Sequence, residues 1–297
     1  METKITKERG RVINPFTDWG FKYIFGREES KDILIGFLNV LLKRDVPIRD
    51  ITYLNNEHIA EAPELRTCVF DVICTDDSGD RFLVEMQQVD ERNIRNRLLY
   101  YACRLIDEMG QRGDWDYDLD RVYAICMMDF TYADEPVLRN DYLIRDVLTG
   151  RIFSDRLNII TLQIPCIQAK SLSECRESYE KCLFLLKAMR DSMLTFEDIC
   201  KDIENENTSE EVKAMLRRVA EAANVEQLSS KDRAAYEYAL KRYRDYYGGI
   251  KTAEDKGREE GIKEGLQKAA RAMKANGLSP EVIASCTGLS QAEITSL

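Results

Sequence analysis

The spacing of hydrophobic residues near the start of the chain predicts two helices. Residues 18–25 (DWGFKYIF) place Phe21 and Phe25 on one face of a helix. Ser30 is suited to cap a second helix, after which hydrophobic residues recur at helical spacing at Ile33, Leu34, Phe37, Leu38, Leu41 and Leu42. Pro47 lies beyond the end of this second helix.

The pattern then changes to one that is typical of β-structure. Residues 69–74 and 81–87 are short segments rich in residues that favour strands. They flank residues 76–80, a polar cluster that contains Gly79 and is suited to a turn. We therefore predict a β-hairpin whose loop is the five-residue segment 76–80.

Three further segments complete the first part of the chain. Residues 93–109 return to helical spacing. Residues 121–130 (RVYAICMMDF) are almost continuously apolar, as expected of a buried central strand. Residues 157–164 alternate like another strand, which ends at Pro165.

The chain beyond Pro165 has no strand pattern and is expected to be helical. Residues 179–189 are apolar, and residues 210–247 have the spacing of one or two amphipathic helices. The pair Gly248-Gly249 predicts a turn after them.

The tail from Lys251 carries mixed charges, with Gly257, Gly261 and Gly265 on one helical face. Each glycine costs a helix about 1 kcal/mol relative to alanine, so we expect this helix to gain stability by packing on a partner. Residues 277–297 resemble a helix-turn-helix. Because no basic residue follows Lys274, a protein–protein role is favoured over DNA binding there.

The order of these elements predicts an α/β protein with an all-helical C-terminal region. We assign residues 1–190 to the α/β core and residues 191–250 to a helical region. Residues 251–297 form a charged tail, with the glycine-spaced helix and the helix-turn-helix-like end.

Composition is that of an ordinary globular protein, with 44% hydrophobic and 32% charged residues. No apolar run approaches the roughly 20 residues that cross a bilayer, so no membrane association is expected. Residues 1–11 are charged and have no apolar signal region, which predicts a cytoplasmic protein.

The nine cysteines include no C-x-x-C pair, and His58 is the single histidine, which disfavours a zinc site or a histidine-dependent mechanism. The thiols are instead expected to be small buried side chains in a reducing compartment.

The predicted hairpin brings two acids together. With the loop at residues 76–80, Ile73 faces Leu83 and Asp71 faces Glu85. Directly opposed residues point to the same side, with Cβ atoms about 5 Å apart. Gln87 is two residues beyond Glu85 and therefore projects from that side as well.

Two carboxylates this close repel each other unless a proton or a cation lies between them. Both acids are embedded in apolar segments, and a hard divalent cation such as Mg²⁺ prefers oxygen ligands and can bridge to a phosphate. The alternative is an exposed edge hairpin with two solvated acids, and spacing alone does not decide between the two.

These segments resemble the PD-(D/E)XK nuclease superfamily, and more closely a bacterial family of recombination-promoting nucleases and transposases. The matching pieces span residues 12 to about 190 and the tail, and they are Asp18–Gly26, Phe37-Leu38-Asn39, Phe70-Asp71-Val72, Val84-Glu85-Met86-Gln87 and the charged, glycine-spaced segment. The resemblance implies a restriction-endonuclease-like mixed β-sheet core flanked by helices.

In that superfamily an aspartate and a glutamate bind metal, and a lysine two residues further on orients the attacking water. By resemblance these roles fall on Asp71, Glu85 and position 87, where this chain has glutamine. The close family commonly carries glutamine there, and glutamine supplies hydrogen bonds but no charge. A further acidic metal ligand is expected from Asp18 or Glu64, and Asp18 is equally suited to cap a helix.

Four basic residues are candidates for contacts with nucleic acid: Lys22, Arg92, Arg95 and Arg97. The arginines lie in a stretch without acids, although the chain as a whole has a net charge of −10, which argues against broad non-specific DNA binding. The alternative for each basic residue is a solvated helix face.

Two functions from different classes fit this sequence. The first is a DNA endonuclease that hydrolyses phosphodiester bonds with Mg²⁺ or Mn²⁺, promoting recombination or serving a mobile element, as the resemblance implies. The second is a catalytically degenerate nuclease fold that acts as an oligomeric interaction module. The first is the leading hypothesis, because the predicted hairpin sets Asp71 opposite Glu85 with Gln87 adjacent. The acidic charge, the glutamine at position 87 and the glycine-spaced tail motivate the second. In both cases we expect homo-oligomers formed through the C-terminal helical region.

Overall fold

The computed structural model describes residues 10–54, 71–89, 93–111, 113–132, 134 and 136–297. Its helices are α1 (Asp18–Phe25), α2 (Lys31–Leu42), α3 (Ile94–Asp107), α4 (Ser178–Arg190), α5 (Phe196–Asn205), α6 (Glu210–Ala222), α7 (Ser230–Ala275), α8 (Pro280–Thr287) and α9 (Gln291–Ser296). Its strands are β1 (Ile51–Tyr53), β2 (Val72–Asp76), β3 (Arg81–Gln87), β4 (Val122–Met128), β5 (Arg139–Arg145) and β6 (Ile152–Gln163). None of the described helices has both the length and the apolar character that a bilayer crossing requires.

The strands form one mixed sheet in the order β1-β2-β3-β4-β6-β5. Strands β3, β4 and β6 run parallel to one another. Strands β1 and β2 at one edge, and β5 at the other, pair antiparallel with their neighbours. This arrangement confirms the prediction of a mixed sheet with flanking helices and an all-helical C-terminal region.

The predicted hairpin is present in the expected register. Ile73 pairs with Leu83, and Thr75 pairs with Arg81. The first strand of the hairpin continues through Asp76, two residues beyond the predicted end. The reason is local, because a side-chain oxygen of Asp76 accepts hydrogen bonds from the backbone N–H groups of Ser78 and Asp80 at 3.0 Å. These bonds tighten the turn and leave a shorter loop.

Helix α3 covers one face of the sheet. Its buried residues Ile94, Leu98, Ala102 and Leu105 pack in one cluster with Ile73, Leu83, Ala124, Cys126 and Met128 from the strands. Side chains alternate along a strand, so Glu85 and Gln87 project from the same face of β3 as Leu83. The two polar residues therefore lie beside the first turn of α3.

Helix α1 begins where Gly20 packs closely against the backbone of Asn14. The hydroxyl of Thr17 accepts a hydrogen bond from the Gly20 N–H at 2.9 Å, so Thr17 is the N-cap and Asp18 is the first helical residue. The suggestion that Asp18 caps this helix is thus wrong by one position. A Cβ atom at Gly20 would lie 2.3 Å from the carbonyl oxygen of Asn14, which requires glycine there.

Two parts of the secondary structure differ from the sequence prediction. Strands β1 and β5 were not predicted, and helix α7 runs through Gly248-Gly249, where a turn was expected. The turn prediction was wrong because two glycines weaken a helix by only about 1 kcal/mol each. In a helix of 46 residues, the other residues offset this loss of helix stability.

The described chain divides into two compact units, Met1–Ala239 and Leu240–Leu297. The second unit has a small core of its own, formed by Ala270, Ile283, Leu289 and Ile294. Helices α8 and α9 are joined by a turn in which Gly288 has a φ of 70°, a left-handed conformation that favours glycine. The finer division at residues 190 and 250 stays a prediction.

The described cysteines are all free thiols. Cys74, Cys126 and Cys182 are buried, as expected, and burial raises the pKa of the Cys74 and Cys182 thiols to about 12. The expectation of buried thiols does not hold throughout, because Cys103 and Cys286 are exposed.

Candidate active site

Asp71 lies immediately before β2, with its side chain 18% exposed. Its Oδ2 accepts a hydrogen bond from the backbone N–H of Met86 at 2.8 Å, which holds the carboxylate against β3. The Nζ atom of Lys22 on α1 lies 3.8 Å from its Oδ1. The carboxylate of Asp71 is thus held at the backbone of Met86, the residue next to Glu85.

Burial raises the pKa of the Asp71 carboxyl above its usual range. The Met86 N–H and the charges of Lys22 and Arg97 lower this pKa, whereas the nearby charge of Asp18 raises it further. Burial is the largest of these effects, so the protein holds this acid in a place where its charged form is disfavoured. Ionisable residues whose pKa values are shifted by burial are common in functional sites.

Glu85 and Gln87 lie on β3 and are 5% and 6% exposed. The Nη2 atom of Arg97 lies 2.5 Å from Oε1 of Glu85 and 2.5 Å from Oε1 of Gln87. One guanidinium group therefore joins the two side chains. Its charge also acts on Asp71, whose pKa it lowers.

The position of Arg97 follows from how α3 packs on the sheet. Ile94 and Leu98 are buried in the sheet-facing cluster, and Arg97 stands next to Leu98 in the first turn. Its guanidinium carbon lies 5.9 Å from the centre of the Tyr101 ring, one turn further along the helix. Sequence reasoning assigned Arg97 to nucleic acid and missed its contact with Glu85. This contact could have been expected, because Glu85 projects from the same side of β3 as Leu83, and the apolar face of α3 must pack on one side of the sheet.

Gln87 occupies the position at which the superfamily has its lysine. Besides accepting from Arg97, its amide donates from Nε2 to the carbonyl oxygen of Val89 at 3.2 Å. Its backbone carbonyl accepts from the Asp129 N–H at 2.9 Å, which continues the pairing with β4. The side chain is therefore oriented by contacts on both of its polar ends.

A second group of contacts supports the ends of β3 and β4, and sequence reasoning did not identify it. Gln88 donates to the carbonyl oxygen of Phe16 at 2.5 Å. Asp129, just beyond β4, forms an ion pair with Arg190 of α4. The Arg190 guanidinium lies 5.0 Å from the centre of the Phe16 ring. These contacts hold the segment before α1 against the ends of β3 and β4, and Glu85 lies near the end of β3.

The remaining predicted residues are distributed as follows. Asp18 is 72% exposed and pairs with Lys22 at 2.7 Å, so it reaches Asp71 only through its charge. Arg95 faces away from the acids, because it lies 4.1 Å from the Tyr132 ring centre and pairs with Asp134. The predicted residues Glu64 and Arg92 lie outside the described residues.

The donor set suits a hard cation. Asp71 and Glu85 offer carboxylate oxygens and Gln87 an amide oxygen, and Mg²⁺ is commonly held by one or two carboxylates together with water and substrate. The guanidinium of Arg97 already provides positive charge beside Glu85, as a cation would. Within the described ranges, no group of three or more acidic, cysteine or histidine side chains is arranged to hold a metal.

Comparison with known proteins supports this assignment at the level of the family. Residues 15–253 match the family described as PD-(D/E)XK nuclease family transposase. No curated protein and no solved structure matches the sequence at a significant level. The match covers most of the chain and includes the whole sheet, α3 and both candidate acids, and the mixed sheet with flanking helices agrees with a restriction-endonuclease-like fold. The chain belongs to the PD-(D/E)XK nuclease family transposases.

Proposed function

We propose that this protein is a Mg²⁺-dependent DNA endonuclease of the cytoplasm that hydrolyses phosphodiester bonds and serves recombination or a mobile element. The observation that carries the proposal is the hydrogen bond between the Asp71 carboxylate and the Met86 N–H, which brings this acid to the residue beside Glu85. Family membership supports a nuclease-like activity. The metal and the DNA substrate are our inference.

Asp71 and Glu85 are the residues that would hold the metal. A bound divalent cation supplies a Lewis acid that lowers the pKa of water and stabilises charge on a phosphoryl group. The two side chains are suited to this task because their surroundings restrain them. Asp71 is fixed by a backbone donor, and Glu85 is almost fully buried on a central strand. Asp18, or Glu64, would add a further ligand.

Gln87 and the basic residues would act on the water and the phosphate. The Gln87 amide can accept from a water or donate to a phosphate oxygen, but it brings no positive charge. Lys22 and Arg97, which flank the two acids, carry that charge. The planar guanidinium of Arg97 suits bidentate contact with a phosphate. We assign backbone contacts further along the DNA to Arg92 and Arg95.

The test is nicking of supercoiled plasmid DNA by the purified protein with Mg²⁺ or Mn²⁺. Asp71→Ala and Glu85→Ala should each abolish cutting. Asp155→Ala is the matched control, because Asp155 is a half-exposed aspartate paired with Arg121 near the start of β4, at the other end of the sheet. Cutting by both site variants at the rate of the parent would reject the proposal.

A second candidate function, a catalytically degenerate oligomeric module, rests on a different observation. A Cβ atom at Gly257, Gly261 or Gly265 would meet nothing within 4 Å in this chain. Three glycines on one open face of α7 leave room for a second helix to approach closely. We propose that homo-oligomers form through this face.

Bulky substitution of one glycine tests this assembly. Gly261→Leu should lower the mass measured by light scattering, whereas Glu259→Leu, on the opposite face of α7, should leave it unchanged. An unchanged mass for Gly261→Leu would reject assembly through this face. A pure scaffold need not bind Mn²⁺, so calorimetric titration separates the two functions.

A further inference from the structure

Arg97 contacts the two residues of β3 on which the proposed chemistry depends. Its Nη2 atom is 2.5 Å from carboxylate oxygen Oε1 of Glu85 and 2.5 Å from the amide oxygen of Gln87. We propose that Arg97 is the counter-ion of the metal-free site and that a divalent cation replaces it at Glu85. This inference rests on the proposed metal-dependent function.

The carboxylate of Glu85 needs a positive partner before any metal arrives. Its side chain is 7% exposed, and a buried carboxylate without a compensating charge is strongly destabilised. Arg97 satisfies that requirement from the neighbouring helix. Arg97 therefore takes, in the metal-free protein, the place beside the Glu85 carboxylate that a cation would occupy.

The same contact opposes metal binding. A Mg²⁺ ion lies about 2.1 Å from its oxygen ligands. With Arg97 still 2.5 Å from Oε1 of Glu85, the two positive charges would be close enough to repel each other strongly in a site with little water. Binding of the ion therefore requires the guanidinium to move away from Glu85.

Arg97 has a place to which it can move. Its side chain is 29% exposed, and it begins in the first turn of α3, at the surface end of the cluster. The ring of Tyr101 lies one helical turn away, with its centre 5.9 Å from the guanidinium carbon. The guanidinium already lies over this ring, and a small rotation of the long side chain would bring it closer to the ring, a favourable arrangement. The displaced charge would then be available to a phosphate group.

Lys22, a second described cation near the acids, is not arranged in this way. Its Nζ atom is 3.8 Å from Asp71 but 2.7 Å from Asp18, so its main partner is the exposed acid of its own helix. A metal on Asp71 and Glu85 can be accommodated without breaking that closer pair. Of these two cations, Arg97 is therefore the one to which the competition with metal is assigned.

Isothermal titration calorimetry with Mn²⁺ at pH 8 tests the competition, and it needs no DNA. Replacement of Arg97 by glutamine (Arg97→Gln) removes the competing charge, so Mn²⁺ should bind about tenfold more tightly than to the parent, a difference of about 1.4 kcal/mol. Arg104→Gln is the matched control, because Arg104 lies two turns further along α3 and pairs with Asp107. Its affinity for Mn²⁺ should equal that of the parent.

Thermal unfolding provides the second readout. Arg97→Gln should melt below the parent in EDTA, because Glu85 has lost the compensating charge of the guanidinium, and should gain more from Mn²⁺ than the parent does. If Arg97→Gln does not fold, Arg97→Lys replaces it. Lysine keeps a positive charge near Glu85, but its strongly hydrated ammonium group on a flexible stem leaves the carboxylate more readily, so Mn²⁺ should bind to Arg97→Lys a few-fold more tightly than to the parent.

The outcomes separate this inference from the proposed function. Equal or weaker Mn²⁺ affinity in the Arg97 variants, with binding to the parent intact, would overturn the replacement of Arg97 and leave the metal-dependent function standing. Absence of Mn²⁺ binding in both the parent and the variants would overturn both. Binding to Arg97→Gln that exceeds binding to the parent, with Arg104→Gln unchanged, supports the exchange.

Discussion

Replacing Asp71 by asparagine should make the metal-free protein more stable while removing its metal site. The reason is the raised pKa of the Asp71 carboxyl, which arises mainly from burial. Asparagine has the same shape, and its side-chain oxygen can still accept the hydrogen bond from the Met86 N–H. The substitution therefore removes a disfavoured charge and keeps the contact that fixes the side chain.

The sign of the pH dependence follows from the direction of the shift. The folded protein retains the Asp71 proton at pH values at which the unfolded chain has already released it. Ionisation of Asp71 therefore lowers the stability of the fold as pH rises through the folded-state pKa, and the penalty is absent below the unfolded-state pKa of about 3.9. The Asp71→Asn variant carries no such penalty at any pH, because its side-chain amide does not ionise.

The size of the effect is set by one partly compensated buried charge. The side chain of Asp71 is 18% exposed, one backbone donor and the Lys22 charge at 3.8 Å offset part of the burial cost, and the remainder still raises its pKa. We expect a gain of about 1 kcal/mol, typical of stabilising substitutions. For a domain of this size that corresponds to roughly 2–4 °C in Tm.

The assay is thermal unfolding in EDTA, followed by circular dichroism at pH 8 and at low pH. Asp71→Asn should melt above the parent at pH 8, and the difference should shrink as the pH falls. Asp18→Asn is the control, because Asp18 is 72% exposed and its substitution should change stability by less than about 0.5 kcal/mol. A lower melting temperature for Asp71→Asn than for the parent at pH 8 would show that the Asp71 charge stabilises the fold.

Three further predictions concern the rest of the chain. Lys181→Met should destabilise the fold by about 3–5 kcal/mol in urea unfolding, because it leaves the buried Glu206 carboxylate without its ammonium partner at 2.8 Å; a change below about 1 kcal/mol would contradict this. At pH 8, Ellman's reagent should modify the exposed Cys286 in the folded protein and leave Cys182 intact, since burial raises the pKa of Cys182 to about 12; equal labelling, read by mass spectrometry, would show that Cys182 is accessible. Deletion of residues 251–297 should lower the oligomeric state in light scattering, and an unchanged mass would reject assembly through the tail.

The hairpin could be predicted from sequence because its determinants are local. Two segments of β-forming residues flank a polar turn, and the turn sets which residues face each other. That register predicts Asp71 opposite Glu85. The pairing of Ile73 with Leu83 confirms the register within the strands, and the pair of acids, one residue before β2, stays a prediction. The assignment of Gln87 to the same side needs only the alternation of side chains along a strand.

The contact of Arg97 with Glu85 could not be predicted in the same way. It depends on where α3 crosses the sheet, and that position is set by packing among Ile94, Leu98 and strand residues far apart in sequence. The sequence of α3 contains several arginines, and the pattern alone does not show which of them face solvent. The structure separates them, since Arg95 pairs with Asp134 and Arg97 turns towards Glu85.

The strand and turn errors have different physical origins. Strand β5 lies at the edge of the sheet, with Tyr142 and Ile144 on its exposed surface, so its residues lack the hydrophobic contrast that marks a strand. Strand β1 has only three residues, too few to show a period. In α7, by contrast, good helix formers on both sides of Gly248-Gly249 outweigh a local preference for a turn.

Anomalous X-ray scattering from crystals soaked in Mn²⁺ would show whether Asp71 and Glu85 together hold a divalent cation. We predict one strong anomalous peak bonded to carboxylate oxygens of both residues, at roughly the 2.1 Å typical of Mg²⁺, with the Arg97 guanidinium moved away from Glu85. A Mn²⁺ ion bound elsewhere, with no peak between these two acids, would contradict this prediction.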